Sequence, residues 1–363
     1  MAIYLLIDIV IIVCGLLFLK LTKKEDRIKA IGSDVYFIIA FLLLFFIAAF
    51  RGDFTADYIG YEEIYTRYFS YSLTDILALG LDSYPEQGYL LFQFAVKNIF
   101  GNVLYIFIFT SLFVVFANLR ELKKWFPLSF VPVLLFADMG TYITSFNVTR
   151  QIVAVSIMIL GSKFLYDKKP IKYFLVVAIA ALFHSSALIM IPAYFFFNFK
   201  QKRSRMYLYA IGVAALFVLL PLLLKIVQTY LWGWYNTEGL LSSGYSYKNI
   251  VAPLFISLPP IIKYNFSKTN PLEQISRHES IWLNGTYLYL IFALLGLRIS
   301  LSSRFASFFS IFAILAFAKC IEDIKDRKSR FLVTCGAVAL ICAYNFVVKL
   351  GSPLDPFYFI WQR

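Results

Sequence analysis

Apolar runs recur from one end of the chain to the other, and the polar segments between them are short. A helix needs ~20 residues to cross a ~30 Å hydrocarbon core, and runs of about that length predict membrane-spanning helices. They fall at about 3–21, 34–50, 87–119, 127–143, 147–166, 171–183, 185–199, 206–231, 250–266, 279–297, 305–322 and 331–350. Helices are expected because in lipid every backbone N–H and C=O must find its partner within the segment. The pattern predicts an all-α fold, a polytopic transmembrane helical bundle of about 12 spans forming a single integral membrane domain over residues 1–363. The run 87–119 is long for one crossing and is interrupted by Lys97, Asn98 and Gly101, which predicts a half-helix over 87–100 leading into 102–119. The spans on either side of His184 are short, which places that turn within the membrane or a cavity.

Composition sharpens this picture. The chain has 363 residues, 61% hydrophobic and 19% aromatic, with a mean hydropathy of +0.75. That is far from the near-even balance of a soluble domain. A net charge of +13 would suggest nucleic acid in a soluble protein. In a membrane protein it follows from basic residues collecting in cytoplasmic loops, and no nucleic-acid partner is expected. Cys14, Cys320, Cys335 and Cys342 all lie in apolar runs without a CxxC pair, and read as small buried hydrophobes. The N-terminal run has its charges after it, no basic leader and no cleavage site. It reads as a retained first span.

The charges also orient the chain. With the N- and C-termini outside, the outer segments hold eight of the 34 lysines and arginines: Arg51, Arg67, Arg150, Lys248, Arg298, Arg304, Lys349 and Arg363. Lys97 and Lys225 lie within spans, and all the others fall on inner segments, as the positive-inside rule demands. Six of the eight outer cations are arginines. Their rigid fork of donors suits phosphate or carboxylate, so an anionic ligand is expected on that face.

The first outer loop, 51–87, opens RGDFTADYIGYEEIYTRYFSY. Tyr58, Tyr61, Tyr65 and Tyr68 recur at steps of three and four and share one face of an amphipathic helix, with Glu62 and Glu63 on the other. The face suits an interfacial aromatic belt, a sugar-stacking surface, or both. Asp53 and Asp57, close to Arg51, are either an ion pair with a helix N-cap at Thr55 or Asp57, or a general base and hydroxyl acceptor. Asn147, Arg150 and Gln151 open the span at 147–166, a polar cluster of the kind that faces a cavity. His184, in LFHSS, is a structural histidine or a proton-transfer group. His278 reads as solvated. Arg298 and Arg304 bracket a serine-rich outer turn, LGLRISLSSRF, that fits an oxyanion such as diphosphate. The outer loop 232–249 is aromatic and glycine-rich, a plausible lid or carbohydrate platform. No motif for ATP or zinc is present, and no cofactor or metal is expected.

Two blocks resemble the EpsG-like, Wzy-type polysaccharide polymerases. RGDFTADYIGYEEIY is similar to that family's arginine followed by Asp-Tyr-x-x-Tyr, with Ala56 where the pattern has glycine. The stretch from Ser145 to Phe196 is similar to its N-x-x-R-Q span followed by a helix pair with F-H-x-S-A at the turn. The resemblance implies a GT-C-like layout and a bacterial inner-membrane glycosyltransferase. Such an enzyme joins oligosaccharide repeat units carried on undecaprenyl diphosphate at the outer face, without metal. It uses the lipid-linked oligosaccharide as donor and acceptor and works alongside a chain-length regulator.

The expected roles follow. Arg150, Arg298 and Arg304 hold the diphosphate, with Arg51 a weaker candidate. Asp57 or His184 takes the hydroxyl proton. Tyr58 and Tyr61 line the sugar path, with Asp53, Asn147 and Gln151 binding substrate. One alternative is a flippase for lipid-linked sugars, which should carry charges deep in its spans. The only charges expected there are Lys97 and Lys225, which favours an enzyme. Another is an O-antigen ligase-type transferase, which would have a larger outer loop than 232–249.

Overall fold

The computed structural model describes residues 2–20, 26–79, 86–203, 250–267, 272, 274–349 and 357–362, with scattered positions between 207 and 222. The expected span 206–231 therefore lies mostly outside the described residues, and the loop 232–249 wholly so. Among the described residues there is no strand beyond one isolated bridge. The chain divides into two compact units, Met1–Ile191 with Ile324–Arg363, and Pro192–Asp323.

The first unit begins with α1 (Ala2–Cys14), which continues as π-helical turns over Gly15–Lys20, and α2 (Asp26–Ala49). The first outer loop folds as α3 (Ala56–Arg67) and α4 (Leu73–Ala78), the latter started by a capping box between Ser72 and Asp75. Next come α5 (Gln87–Phe100) and α6 (Leu104–Trp125). They separate at Gly101, which takes the left-handed conformation (φ 65°) and lets the chain turn where a β-carbon would be strained. The long run 87–119 is thus two helices, as its polar interruption predicted. Short α7 (Val131–Asp138) and α8 (Thr141–Thr144) lead into α9 (Thr149–Tyr166) and α10 (Pro170–Phe183), which has proline in its first turn. A 3₁₀ turn, Ser185–Ile189, joins α10 to α11 (Met190–Phe197), which carries the chain from the first unit into the second, and α16 (Arg327–Lys349) closes the first unit.

The second unit holds α12 (Val251–Phe266), α13 (Arg277–Leu295), α14 (Ser300–Ala306) and α15 (Ser310–Glu322). Gly285 lets α13 and α15 approach closely, because a β-carbon there would lie 2.4 Å from that of Phe312.

Among the described residues four helices are long and apolar enough to cross a membrane: Ala2–Leu19, Ile28–Ala49, Leu104–Trp125 and Arg327–Val348. Other expected spans are shorter apolar helices, including Pro170–Phe183 and Ser185–Phe197. Within the first unit α6 packs on α2 and α9, α9 on α10, and α7 against α1 and α16. One end of this unit is tied by Ser33 Oγ donating to Pro127 O (2.7 Å) and Trp125 Nε1 donating to Glu121 (2.7 Å). At the other end Arg51, Phe146 and Thr149 meet, and so do Glu86, Arg150 and His184.

Two expectations need correction. The spans carry more charge than Lys97 and Lys225. Asp8 sits buried in mid-α1, its carboxylate held by Asn345 Nδ2 of α16 (2.9 and 3.1 Å), and Asp138 is buried at the end of α7. Bonding to a neighbouring helix offsets part of the cost of placing Asp8 there. Nor are the cysteines uniformly buried: Cys335 is exposed on α16 and the other three are half-buried, all as free thiols.

Candidate functional site

Arg51 follows α2 and is 1% exposed. Its Nη1 donates to Ala48 O, and its Nη2 to Phe146 O and Thr149 Oγ1, both at 3.4 Å. The guanidinium carbon lies 5.7, 5.0 and 5.3 Å from the ring centres of Tyr58, Phe107 and Phe146. Among the described residues no carboxylate pairs with Arg51. Burial pulls its pKa down to about 10, so the side chain stays cationic at neutral pH, surrounded by π-faces and carbonyls. Arg51 is therefore walled off from any ligand and joins the end of α2 to the loop before α9.

The tyrosine face of α3 is real but points inward. Tyr58, Tyr61 and Tyr65 are all buried, and Tyr58 stacks on Phe107 at 3.9 Å between ring centres. An amphipathic period cannot distinguish burial against protein from burial in the headgroup region, and here protein is what covers the face. Thr55 occupies the N-cap position, but its hydroxyl donates to Phe146 O (3.0 Å) and makes no cap bond. Asp57 lies in the first turn of α3, its backbone N–H 3.4 Å from Asn147 Oδ1.

Beside this packing lies a second cluster. Arg150, in the first turn of α9, pairs through Nη1 with Glu86 Oε2. Its guanidinium carbon stands 5.6 Å from the ring centres of both Tyr61 and Tyr89, and its backbone N–H donates to Tyr61 Oη (3.3 Å). Glu86, 7% exposed, is the N-cap residue of α5. Its other oxygen lies 3.7 Å from His184 Nε2, and the Ser185 N–H also donates to its carboxylate. Burial pushes the Glu86 carboxyl above the usual range despite the opposing pull of Arg150 and Ser185. His184 ends α10; its Nδ1 accepts from the Ser186 N–H (3.2 Å) and contacts Ser186 Oγ at 2.7 Å. Gly88 brings α5 onto α10 here, since a β-carbon on it would lie 2.8 Å from Leu182 Cβ and 3.0 Å from Leu182 O.

A carboxylate, a guanidinium, an imidazole and two phenols thus converge at one end of the first unit. Such a set can bind an anion, donate to sugar hydroxyls and move a proton. Among the described residues no group of acids, histidines and cysteines could hold a metal ion.

The family model described as the EpsG family matches residues 34–359. The chain belongs to the EpsG family. Its members are polysaccharide polymerase-like membrane proteins of the Wzy type. No curated protein and no solved structure matches the chain.

Both EpsG-like blocks of the sequence meet in this region, one supplying Arg51, Tyr58 and Tyr61, the other Asn147, Arg150, Gln151 and His184. Asp53 accepts from Tyr358 Oη (2.7 Å) in the C-terminal tail. Gln151 is fully buried, whereas Asn147 is exposed. Arg298 and Arg304 belong to the second unit, around the α13–α14 turn, with Arg298 4.8 Å from the ring centre of Phe217. One of the serines beside them is already committed: Ser302 Oγ donates to Phe292 O (3.0 Å). Sequence reasoning missed Glu86. Its signal was an acid opening an apolar run, Pro85-Glu86-Gln87-Gly88, with a glycine in the first turn that marks close packing.

Proposed function

We propose that this EpsG-family chain is a membrane glycosyltransferase that joins oligosaccharide repeat units carried on undecaprenyl diphosphate, at the outer face of the bacterial inner membrane. The observation that carries the reading is the meeting of Arg150, Glu86 and His184 at one end of the first unit, in a chain of a polymerase-like family. In this reading an acceptor hydroxyl attacks the anomeric carbon of the lipid-linked sugar, and the diphosphate leaves. Arg150 meets the developing charge on that leaving group, and Arg298 and Arg304 are candidates for holding a diphosphate oxyanion. Asp57 takes the hydroxyl proton, with His184 the alternative from sequence; Asp53, Asn147 and Gln151 border the acceptor. Arg51 and Tyr58 act through packing. The membrane bundle works as one domain with both termini outside, and a chain-length regulator is its protein partner.

A gel of surface polysaccharide from a strain lacking the gene tests this reading. A single exported repeat unit that grows into a ladder when the gene is restored supports a polymerase. Loss of every exported repeat points instead to a flippase. That second reading draws on Asp8 and Asp138, charges buried within apolar helices, as in transporter pathways.

A further inference from the structure

The roles expected of His184 and Arg150 both depend on a residue that neither the family pattern nor the motif reading singled out. The Ser186 backbone N–H can only donate, so the His184 Nδ1 that receives it carries no proton. In the neutral ring the proton is then on Nε2, the nitrogen that faces Glu86 Oε1. A ring held this way has its one basic lone pair occupied by backbone and presents an N–H on its other side. It is poorly placed to accept a proton from a substrate hydroxyl. Glu86 receives this N–H side with one oxygen and Arg150 with the other, while the Ser185 N–H fixes the carboxylate from the same turn.

We propose that Glu86 is a positioning residue of this site: it sets the plane of the Arg150 guanidinium and faces the Nε2 side of His184 at 3.7 Å, favouring the ring form with its proton there. The proposal rests on the polymerase reading for its functional consequence but not for its geometry. It leaves proton acceptance to Asp57 and makes His184 part of the frame that holds Glu86 and Arg150 in place. Among the described residues, the charged and titratable groups facing Glu86 include Arg150 from α9, His184 from the end of α10, and, through Arg150, Tyr61 of α3 and Tyr89 of α5. Glu86 itself is nearly covered, so its removal should change turnover more than substrate affinity.

Two experiments on the full-length protein test the proposal. The chain has two histidines, so ¹⁵N-histidine labelling of the purified protein, with His278→Gln to assign the signals, reads the His184 tautomer directly. The Nε2–H form is expected at neutral pH. A dominant Nδ1–H form overturns the proposal whether or not the chain proves to be a polymerase. The second compares Glu86→Gln and Glu86→Asp with wild type in proteoliposomes supplied with lipid-linked repeat unit, at matched levels of folded protein. Glu86→Gln is expected to lower kcat by at least about tenfold with KM changed less than about threefold, and Glu86→Asp to retain part of the activity. The carboxylate is the working form. Wild-type turnover should therefore fall as pH drops through the raised Glu86 pKa, and Glu86→Gln should lose that acid limb. Wild-type kcat in Glu86→Gln, a change confined to KM, or an unchanged acid limb overturns the proposal.

Discussion

At the scale of single residues, Arg51 and Arg150 do different work. Arg51 donates to carbonyls and has three rings over it, with no described carboxylate partner. Truncating it leaves a cavity and unsatisfied acceptors, so Arg51→Ala should lower stability by about 3 kcal/mol, seen as an earlier thermal transition of the detergent-purified protein. Two glycines give a matched contrast. Gly88→Val places atoms into Leu182 and should displace Glu86, reducing polymer while protein remains in the membrane. Gly60→Ala, whose added carbon meets nothing within 4 Å, should leave polymer unchanged in the same gel. Arg150 and His184 were legible as chemistry because each is a polar residue at the edge of an apolar run. Glu86 was not, because a single acid after a loop looks like ordinary solvation, and only its approach to two distant helices gives it meaning.

At the scale of elements, local signals were readable where the chain itself enforces them. The break at Gly101 and the helix over residues 56–67 follow from glycine conformation and three-to-four periodicity. Pairings remote in sequence leave no such trace. Lys97, expected as a charge within a span, donates to Phe69 O (2.7 Å) and Tyr71 O (2.9 Å) and so ties the end of the α3 region to α5. The C-terminal tail pairs by backbone with the segment after α2, through Gly52 N–H to Tyr358 O (2.8 Å) and Ile360 N–H to Phe50 O (3.0 Å). Glycine at 52 is required there, because a β-carbon would lie 2.2 Å from the Tyr358 ring. Deleting residues 357–363 removes this pairing, and the deletion variant should be more quickly proteolysed in detergent than Tyr358→Phe, which removes the hydroxyl that bonds Asp53 but keeps the backbone pairing.

At the scale of the whole molecule, the charge asymmetry predicts which segments lie on each side; within the first unit Lys123 reaches Asp34 among the expected inner segments, and Arg150 reaches Glu86 among the expected outer ones. The prediction can be checked with a membrane-impermeant thiol reagent on intact spheroplasts. Thr66→Cys should be labelled directly and Asp34→Cys only after permeabilisation; the reverse order would invert the topology and move the proposed site to the cytoplasm. Asp8 and Asp138 were hidden at this scale, because one acid scarcely lowers the hydropathy of a long apolar run, and the amide that bonds Asp8 comes from a helix remote in sequence. The central claim is that the chain extends a polymer from lipid-linked repeats at the Arg150 site. The most direct measurement is reconstitution of the purified protein in proteoliposomes with the lipid-linked repeat unit, reading product length and released lipid diphosphate together. The account predicts a ladder with matching diphosphate release from wild type, and neither from Arg150→Ala at the same level of folded protein. An equal ladder from Arg150→Ala, or transbilayer movement of the repeat with no ladder from wild type, would contradict it.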